Sequence, residues 1–221
     1  MIVITGASDG LGRELSKLLI KDGKRVFGLA RNKCEAGVIH IKTDLLDEAS
    51  ITSAVDQILK EEESLEAVIN CAGVISLEKI NALSSSEIER VLATNVKAPM
   101  LLVSKLMDRI QKDGSDILNV ASTVGFKGYA DQAAYGVSKW AMRGFSTNLQ
   151  TELKDTSCRV ISFCPGGFVS RFFAKVTGIE NNLDPKEWMK ASDLAKLMWQ
   201  VLQLPKNMEV SEIIINRKTS I

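Results

Sequence analysis

Seven short apolar runs alternate with longer segments of helical character, and this rhythm constrains the fold more than any other property of the chain. The runs are Ile2–Thr5, Arg25–Leu29, Val38–Lys42, Ala67–Asn70, Ile117–Ala121, Arg159–Phe163 and Ile213–Asn216. Between them lie helix-like stretches at Leu11–Lys21, Ala49–Glu62, Ser84–Gln111, Ala133–Leu153 and Ser192–Leu202. The runs are rich in β-branched residues and largely apolar rather than alternating, as expected for strands buried on both faces. Strands separated by helices predict an α/β fold with a doubly wound parallel sheet of about seven strands and helices on both faces. No repeat or Pro/Gly/Ser-rich linker divides the 221 residues. A single domain over residues 1–221 is therefore expected.

Composition excludes several function classes. The formal net charge of +1 gives no basic excess, so no nucleic-acid partner is expected. The four cysteines, Cys34, Cys71, Cys158 and Cys164, form no Cys-x-x-Cys pair, and His40 is the sole histidine. A metal site is not expected from that set, and His40 reads as structural. No apolar run is long enough to span a membrane. The chain opens directly on Met1-Ile-Val-Ile4 without a basic leader, which points to the cytoplasm.

Thr5-Gly-Ala-Ser-Asp-Gly-Leu-Gly12 follows the first strand and opens the first helix. Glycines there let the backbone approach a pyrophosphate, while the helix N-terminus offers free N–H groups and a partial positive charge. The spacing is Gly-x-x-x-Gly-x-Gly rather than the common Gly-x-Gly-x-x-Gly fingerprint.

Tyr135 and Lys139 stand four residues apart, and Ser122 lies thirteen residues upstream at a strand end. Positions i and i+4 share a helix face, so a phenol and an ammonium meet, and the nearby cation is expected to lower the tyrosine pKa. Thr123 could supply the same chemistry as Ser122. Ser84-x-x-Glu87 forms a capping box that should start the long middle helix. Pro99 falls inside that helix and removes the hydrogen bond to the Asn95 carbonyl. That carbonyl is then expected to be available to a water or a cation.

In this order and context, the motifs resemble those of the short-chain dehydrogenase/reductase family, of its small single-domain type with a Rossmann-type sheet. The resemblance rests on the glycine turn, Asp44-Leu45, Asn70-Cys-Ala-Gly73, Asn95, Ser122, Tyr135-x-x-x-Lys139 and Pro165-Gly166. It runs from Met1 to about Ser170 and continues more weakly to the final strand. It implies a nicotinamide dinucleotide held by Gly6, Ser8, Gly10, Leu11, Gly12, Arg31, Asp44, Leu45, Asn70, Ala72, Gly73, Lys139, Pro165, Gly166, Phe168 and Ser170. It implies a catalytic set of Asn95, Ser122, Tyr135 and Lys139, with Asn95 anchoring a water in a proton relay. Cys71 stands where the family more often has a second asparagine, and Ser170 where it usually has threonine.

The second strand offers no carboxylate until Glu35, and Arg31 is placed to meet a 2′-phosphate. NADP is therefore expected over NAD, although Asp9, just before the second glycine, would repel that phosphate. The implied reaction moves a hydride between the cofactor and a small carbonyl or alcohol substrate, with Tyr135 as acid/base. A catalytically silent dinucleotide-binding regulator is the alternative. Sugar epimerases and dehydratases share Tyr-x-x-x-Lys but carry a longer C-terminal domain than the residues after Pro165 provide. Phe126, Tyr129, Phe168, Phe172, Phe173 and Trp188 could line an apolar substrate cavity. The weakly patterned stretch over residues 166–190, with Gly178, Asn181, Asn182 and Pro185, reads as a mobile substrate loop. The resemblance also implies a homodimer or homotetramer, with Gly136, Ala141 and Gly144 allowing close helix packing.

Overall fold

The computed structural model describes residues 1–172, 174–178 and 188–218. Phe173, Asn181, Asn182 and Pro185 lie outside the described residues. In chain order the elements are β1 (Ile2–Thr5), α1 (Gly10–Lys21), β2 (Val26–Ala30), β3 (Ile39–Lys42), α2 (Glu48–Leu59) and β4 (Ala67–Asn70). There follow α3 (Ser85–Leu92), a π turn (Ala93–Lys97), α4 (Ala98–Asp113), β5 (Asp116–Val120), a 3₁₀ turn (Thr123–Gly125) and α5 (Ala133–Glu152). The last elements are β6 (Arg159–Pro165), β7 (Phe168–Val169), α6 (Ala174–Thr177), β8 (Met189–Lys190), α7 (Ala191–Leu202) and β9 (Glu212–Ile215).

Seven strands pair in parallel in the order β3-β2-β1-β4-β5-β6-β9. The expected doubly wound sheet is thus observed, and within the weakly patterned stretch β7 and β8 form a small separate ladder. Successive side chains of β1 alternate between two cores. Val3 packs with α2, α4 and α5 on one face. Ile2 and Ile4 pack with α1 and α7 on the other. Winding starts outward from β1 through β2 to β3, then returns to β4 on the other side. The strand ends diverge at that reversal and open a crevice.

The middle helix departs from expectation. Instead of one helix over 84–111, α3 and α4 are joined by the π turn, in which Ala98 N–H donates to the Ala93 carbonyl five residues back. Pro99 has no N–H for the Asn95 carbonyl and sits in the first turn of α4, where a missing donor is tolerated. The inserted π turn re-aims Asn95 inward, where it is buried. The capping box is half formed. Ser84 Oγ accepts from Glu87 N–H at 3.2 Å, but the Glu87 carboxylate pairs with Arg90 at 2.7 Å instead of turning back.

At the end of the sheet remote from the crevice, Arg159 Nη2 lies 2.6 Å from Asp116 Oδ2, with the two side chains only 5% and 4% exposed. Arg159 also donates to the carbonyls of Leu202, Leu204, Pro205 and Met208, so it fastens the end of α7 to β5 and β6. Arg159→Ala would leave a buried carboxylate with Lys206 as its remaining cation. The expected cost is about 3–5 kcal/mol, read as a lowered denaturation midpoint. A loss well under 1 kcal/mol would contradict it.

Candidate active site

The crevice at the carboxyl ends of the strands widens into a cavity of about 1180 Å³. That exceeds the ~300–1,000 Å³ usual for one small ligand and leaves room for a dinucleotide with a second molecule. Its floor is set where β1 and β4 end side by side. Thr5 Oγ1 accepts from the N–H groups of Cys71 and Ala72, both at 3.1 Å. Gly6 has φ +71°, and a Cβ there would lie 2.8 Å from Ala72 Cα. A Cβ on Gly12 would lie 2.6 Å from the Gly6 carbonyl oxygen. Only glycine fits either place, and the close turn leaves the α1 N-terminus on the cavity wall. Ser8, Gly10 and Leu11 line the cavity beside it. This backbone cradle suits a pyrophosphate.

Tyr135 and Lys139 lie in the first turns of α5, and both are buried. Lys139 Nζ donates to the Val120 carbonyl at 2.8 Å and sits 5.7 Å from the centroid of the Tyr135 ring. Ser122, one residue past β5's neighbour Ala121, donates to the Pro165 carbonyl at 3.4 Å and accepts from Val124 N–H at 3.2 Å. Burial pushes the Tyr135 phenol up to about 12, against the neighbouring Ser122 hydroxyl, which favours the phenolate. Burial likewise pulls Lys139 down to about 8. The expected acidification of the phenol by the lysine is therefore not what prevails. Loss of water shifts both groups towards their neutral forms, yet at neutral pH the phenol keeps its proton and Lys139 its charge, the ammonium being engaged by the Val120 carbonyl. A phenol beside Ser122 and an ammonium one turn away can still deliver a proton to an oxygen placed between them.

Two motif asparagines lie off the cavity wall. Asn95 Oδ1 accepts from Val74 N–H at 2.8 Å, and its Nδ2 donates to the Val74 carbonyl at 2.8 Å and to Ser138 Oγ at 3.0 Å. It clamps the segment after β4 to α5. It stays close to the reacting groups through Gly73, where a Cβ would lie 3.6 Å from Asn95 Oδ1 and 3.7 Å from Lys139 Nζ. Asn70 lies beneath the floor, donating to Asn119 Oδ1 at 2.8 Å, while Asn119 donates to Ser146 Oγ at 3.0 Å. Asn70 Oδ1 is a buried acceptor without a partner among the described residues. Ala72 and Gly73, by contrast, line the cavity.

At the far end Arg31, Asn32, Lys33, Asp44 and Leu45 form the wall. Glu35, the first carboxylate after β2, is drawn off by Arg13. Asp9 caps α1 by accepting from Gly10 N–H at 2.8 Å. It also pairs with Lys175 at 2.6 Å and Arg171 at 3.3 Å, two cations of the segment after β7. Burial opposes its charge, yet the Lys175 hydrogen bond, the Gly10 N–H and the two cations hold its carboxyl below the usual range.

Pro165, Gly166, Phe168 and Ser170 line the opposite wall. Tyr129, Phe168, Phe172 and Trp188 also line the cavity, and the Phe172 ring stands 5.9 Å from that of Tyr135. Phe126 does not. It packs against Ala121, Met142 and Cys164, with the Arg143 guanidinium 3.5 Å from its ring centroid. Cys71 lines the cavity, but burial pushes its thiol up to about 12, against the pull of Lys139. It is no ready nucleophile. His40 sits in β3 with Nε2 2.9 Å from the Ala30 carbonyl.

The family model described as short chain dehydrogenase matches residues 1–180. The chain belongs to the short-chain dehydrogenase/reductase family. It is an oxidoreductase, as its named relatives are. Among them, the short-chain dehydrogenase/reductase olcF of Penicillium canescens is 31% identical over 198 residues, covering 85% of this chain and 74% of that one. The fold matches an alcohol dehydrogenase from Thermococcus sibiricus complexed with 5-hydroxy-NADP, at TM-score 0.86 and 21% identity over 97% of this chain and 95% of that one. It equally matches a 3-ketoacyl-(acyl-carrier-protein) reductase from Brucella melitensis complexed with NADH, at TM-score 0.86 and 22% identity over 97% and 95%.

Sequence reasoning missed the Asp9–Lys175 and Arg13–Glu35 pairs, the Thr5 hydroxyl and the Ser138 partner of Asn95. Thr5 alone had a signal, as a hydroxyl ending a buried strand just before the glycine turn.

Lys139 is 4% exposed, and the acceptor it reaches is a neutral carbonyl. Its folded pKa, lowered from 10.5 to about 8, means that the unfolded chain binds more protons between those values. Stability should thus rise with pH across about 8 to 10.5, a trend that Lys139→Met should lack. At neutral pH that variant should melt higher, by about 2–4 °C for each kcal/mol relieved. Thermal scans of both proteins at several pH values check this, and a lower melting point in the variant at pH 7 would contradict it.

Proposed function

We propose that this oxidoreductase interconverts a small carbonyl compound and its alcohol with a nicotinamide dinucleotide, with Tyr135 as the acid/base. The observation that carries this reading is the buried Tyr135–Lys139–Ser122 group facing a cavity whose other end is a glycine-cradled helix N-terminus. When bound, the nicotinamide supplies or accepts the hydride. Ser122 holds the substrate oxygen and stabilises its growing charge. Tyr135 gives that oxygen a proton in reduction and takes one in oxidation. Lys139 keeps a positive charge beside the phenol and offers its remaining N–H groups to the cofactor ribose. Asn95 acts as a positioning residue that fixes the floor under Lys139.

The proposed cofactor residues are Gly6, Ser8, Gly10, Leu11 and Gly12 for the pyrophosphate, and Arg31, Asp44 and Leu45 for the adenosine half. Ala72, Gly73, Pro165, Gly166, Phe168 and Ser170 flank the nicotinamide half. Asn70 holds that frame from beneath. NADP is the proposed preference. Glu35 is occupied by Arg13, and Asp9, the one feature that argued for NAD, is covered by Arg171 and Lys175.

A single domain over residues 1–221, working in the cytoplasm, is part of this reading. No helix among the described residues is long and apolar enough to cross a membrane. Exposed Met100 on α4 and Val137 and Trp140 on α5 support assembly as a homodimer or homotetramer.

Tyr135→Phe should lower turnover by about 10²–10⁴-fold and leave cofactor affinity intact. Steady-state NADPH oxidation together with fluorescence titration checks it, and undiminished turnover would refute the assignment. NADP(H) should bind more tightly than NAD(H), and Arg31→Ala should narrow the gap by weakening NADP(H) alone. Equal losses for both cofactors would remove Arg31 from that role. Reduction needs the phenol, retained up to about 12, and the ammonium of Lys139, retained to about 8. The rate of reduction should be level below pH 8 and fall as pH rises through it. A level profile to pH 10 would exclude a role for the lysine charge.

A further inference from the structure

The cavity wall beyond Pro165 carries a cation that the dinucleotide reading does not use. Arg217 follows β9 and lines the cavity together with Gly167, Trp188 and Asn216. Its guanidinium carbon lies 4.2 Å from the centroid of the Trp188 ring. Trp188 in turn is seated on Gly167, where a Cβ would come within 2.4 Å of the ring. The backbone under Arg217 is tied to the reacting end of the cavity. Gly166 N–H donates to the Ile215 carbonyl at 2.7 Å, and a Cβ on Gly166 would lie 3.4 Å from Arg217 N and 3.6 Å from Thr123 Oγ1. Ser122, beside Thr123, donates to the Pro165 carbonyl. The backbone of Arg217 is thus tied to the strand end that carries Ser122, and its side chain lines the same cavity.

Among the described residues, charge around it is one-sided. Among the described residues no carboxylate pairs with Arg217. Among the described residues, the acidic side chains that line the cavity are those of Asp9 and Asp44. Asp9 is taken by Lys175 and Arg171, and Asp44 accepts from Leu46 N–H at the adenosine end. A second cation, Lys127, also lines the cavity, with its Nζ 5.2 Å from the Tyr129 ring centroid and no carboxylate partner among the described residues. Arg90, by contrast, is neutralised by Glu87. Stacking on an aromatic face fixes the guanidinium plane and leaves its N–H fork for a planar anion. An arginine in that state is complementary to a carboxylate.

We propose that the physiological substrate is an anionic carbonyl compound, an oxo acid or its hydroxy-acid counterpart, whose carboxylate is received by Arg217 on Trp188. Arg217 is then the residue that selects the substrate. The inference rests on the oxidoreductase reading, and its test separates the two.

Turnover with NADPH is measured for a series of oxo acids and their methyl esters, with the carbonyl and carboxyl groups at several separations. At the best separation the acid should exceed its ester by about 10–100-fold in kcat/KM, the range of a charge-assisted hydrogen bond. Arg217→Met should remove that advantage through KM, leaving the esters unchanged, and Arg217→Lys should restore part of it. Trp188→Leu should weaken acids selectively. NADPH affinity should be the same in all variants. Equal use of acids and esters by the wild type, an equal loss for both in Arg217→Met, or a loss of NADPH affinity would overturn the proposal. A reading without turnover comes from saturated acids that lack the carbonyl. They should perturb tryptophan fluorescence in the wild type and not in Arg217→Met, and absence of binding to the wild type would overturn the inference. Turnover absent with every carbonyl compound and either cofactor, while those acids still bind, would instead refute the oxidoreductase mechanism.

Discussion

The contact on which the site depends is the Thr5 hydroxyl, which gathers the N–H groups of Cys71 and Ala72 at the point where the sheet reverses its winding. Parallel strands diverging from such a point would leave buried donors unpaired at their ends. Thr5 satisfies two of them and draws the segment after β4 against the glycine turn, close enough that a Cβ on Gly6 would strike Ala72. That approach fixes both walls of the crevice. On one side it exposes the α1 N-terminus. On the other it sets Gly73 between Asn95 and Lys139. A larger gap at the reversal would separate the cradle for an anion from the groups that move a proton.

Helix α5 then has to present Tyr135 and Lys139 at a fixed depth, and the sequence anchors it at successive turns. Ser138 donates to the Tyr135 carbonyl at 2.6 Å and accepts from Asn95. Lys139 reaches Val120, Arg143 reaches the Gly125 carbonyl and Glu212, and Ser146 accepts from Asn119. These residues follow the i, i+4 spacing of two adjacent stripes along one helix. Each stripe carries polar groups against β5 and the turns that follow it, where a helix chosen for stability alone would present leucines. Buried polar contacts of this kind contribute little net stability when satisfied and cost much when broken. They fix position, which is what a proton transfer over hydrogen-bond distance requires.

The legibility of the chain follows from how far apart the interacting residues lie. Strands buried on both faces announce themselves as apolar runs, so β1 and β4 fall on the expected residues and the others shift by one or two. The break of the middle helix was hidden because a π turn changes hydrogen-bond register without changing amphipathic pattern. Pro99 marked the spot, but its effect was to admit an extra residue and turn Asn95 inward. Motif matching brought Asn70 and Asn95 to the right neighbourhood and gave no information on depth. Both sit behind the wall, because the same residue type serves equally well as a ligand contact or as a clamp on a strand end. For Tyr135, spacing shows the cation nearby and does not show the water that both groups have lost.

Asp9 makes the limit plainest. Read alone, a carboxylate at the glycine turn repels a phosphate, and that is sound electrostatics for an isolated charge. Its partners, Arg171 and Lys175, lie more than 160 residues away and arrive from the segment after β7. Together the three side chains carry a net positive charge. An approaching polyanion at distances larger than the pair separations responds to that sum, within a screening length of about 8 Å at physiological salt. The carboxylate fixes two flexible cations at the mouth of the cradle while capping the helix whose N-terminus forms it. The sign of a site belongs to the group of charges that the fold assembles, and a residue read without its partners can be assigned the wrong one.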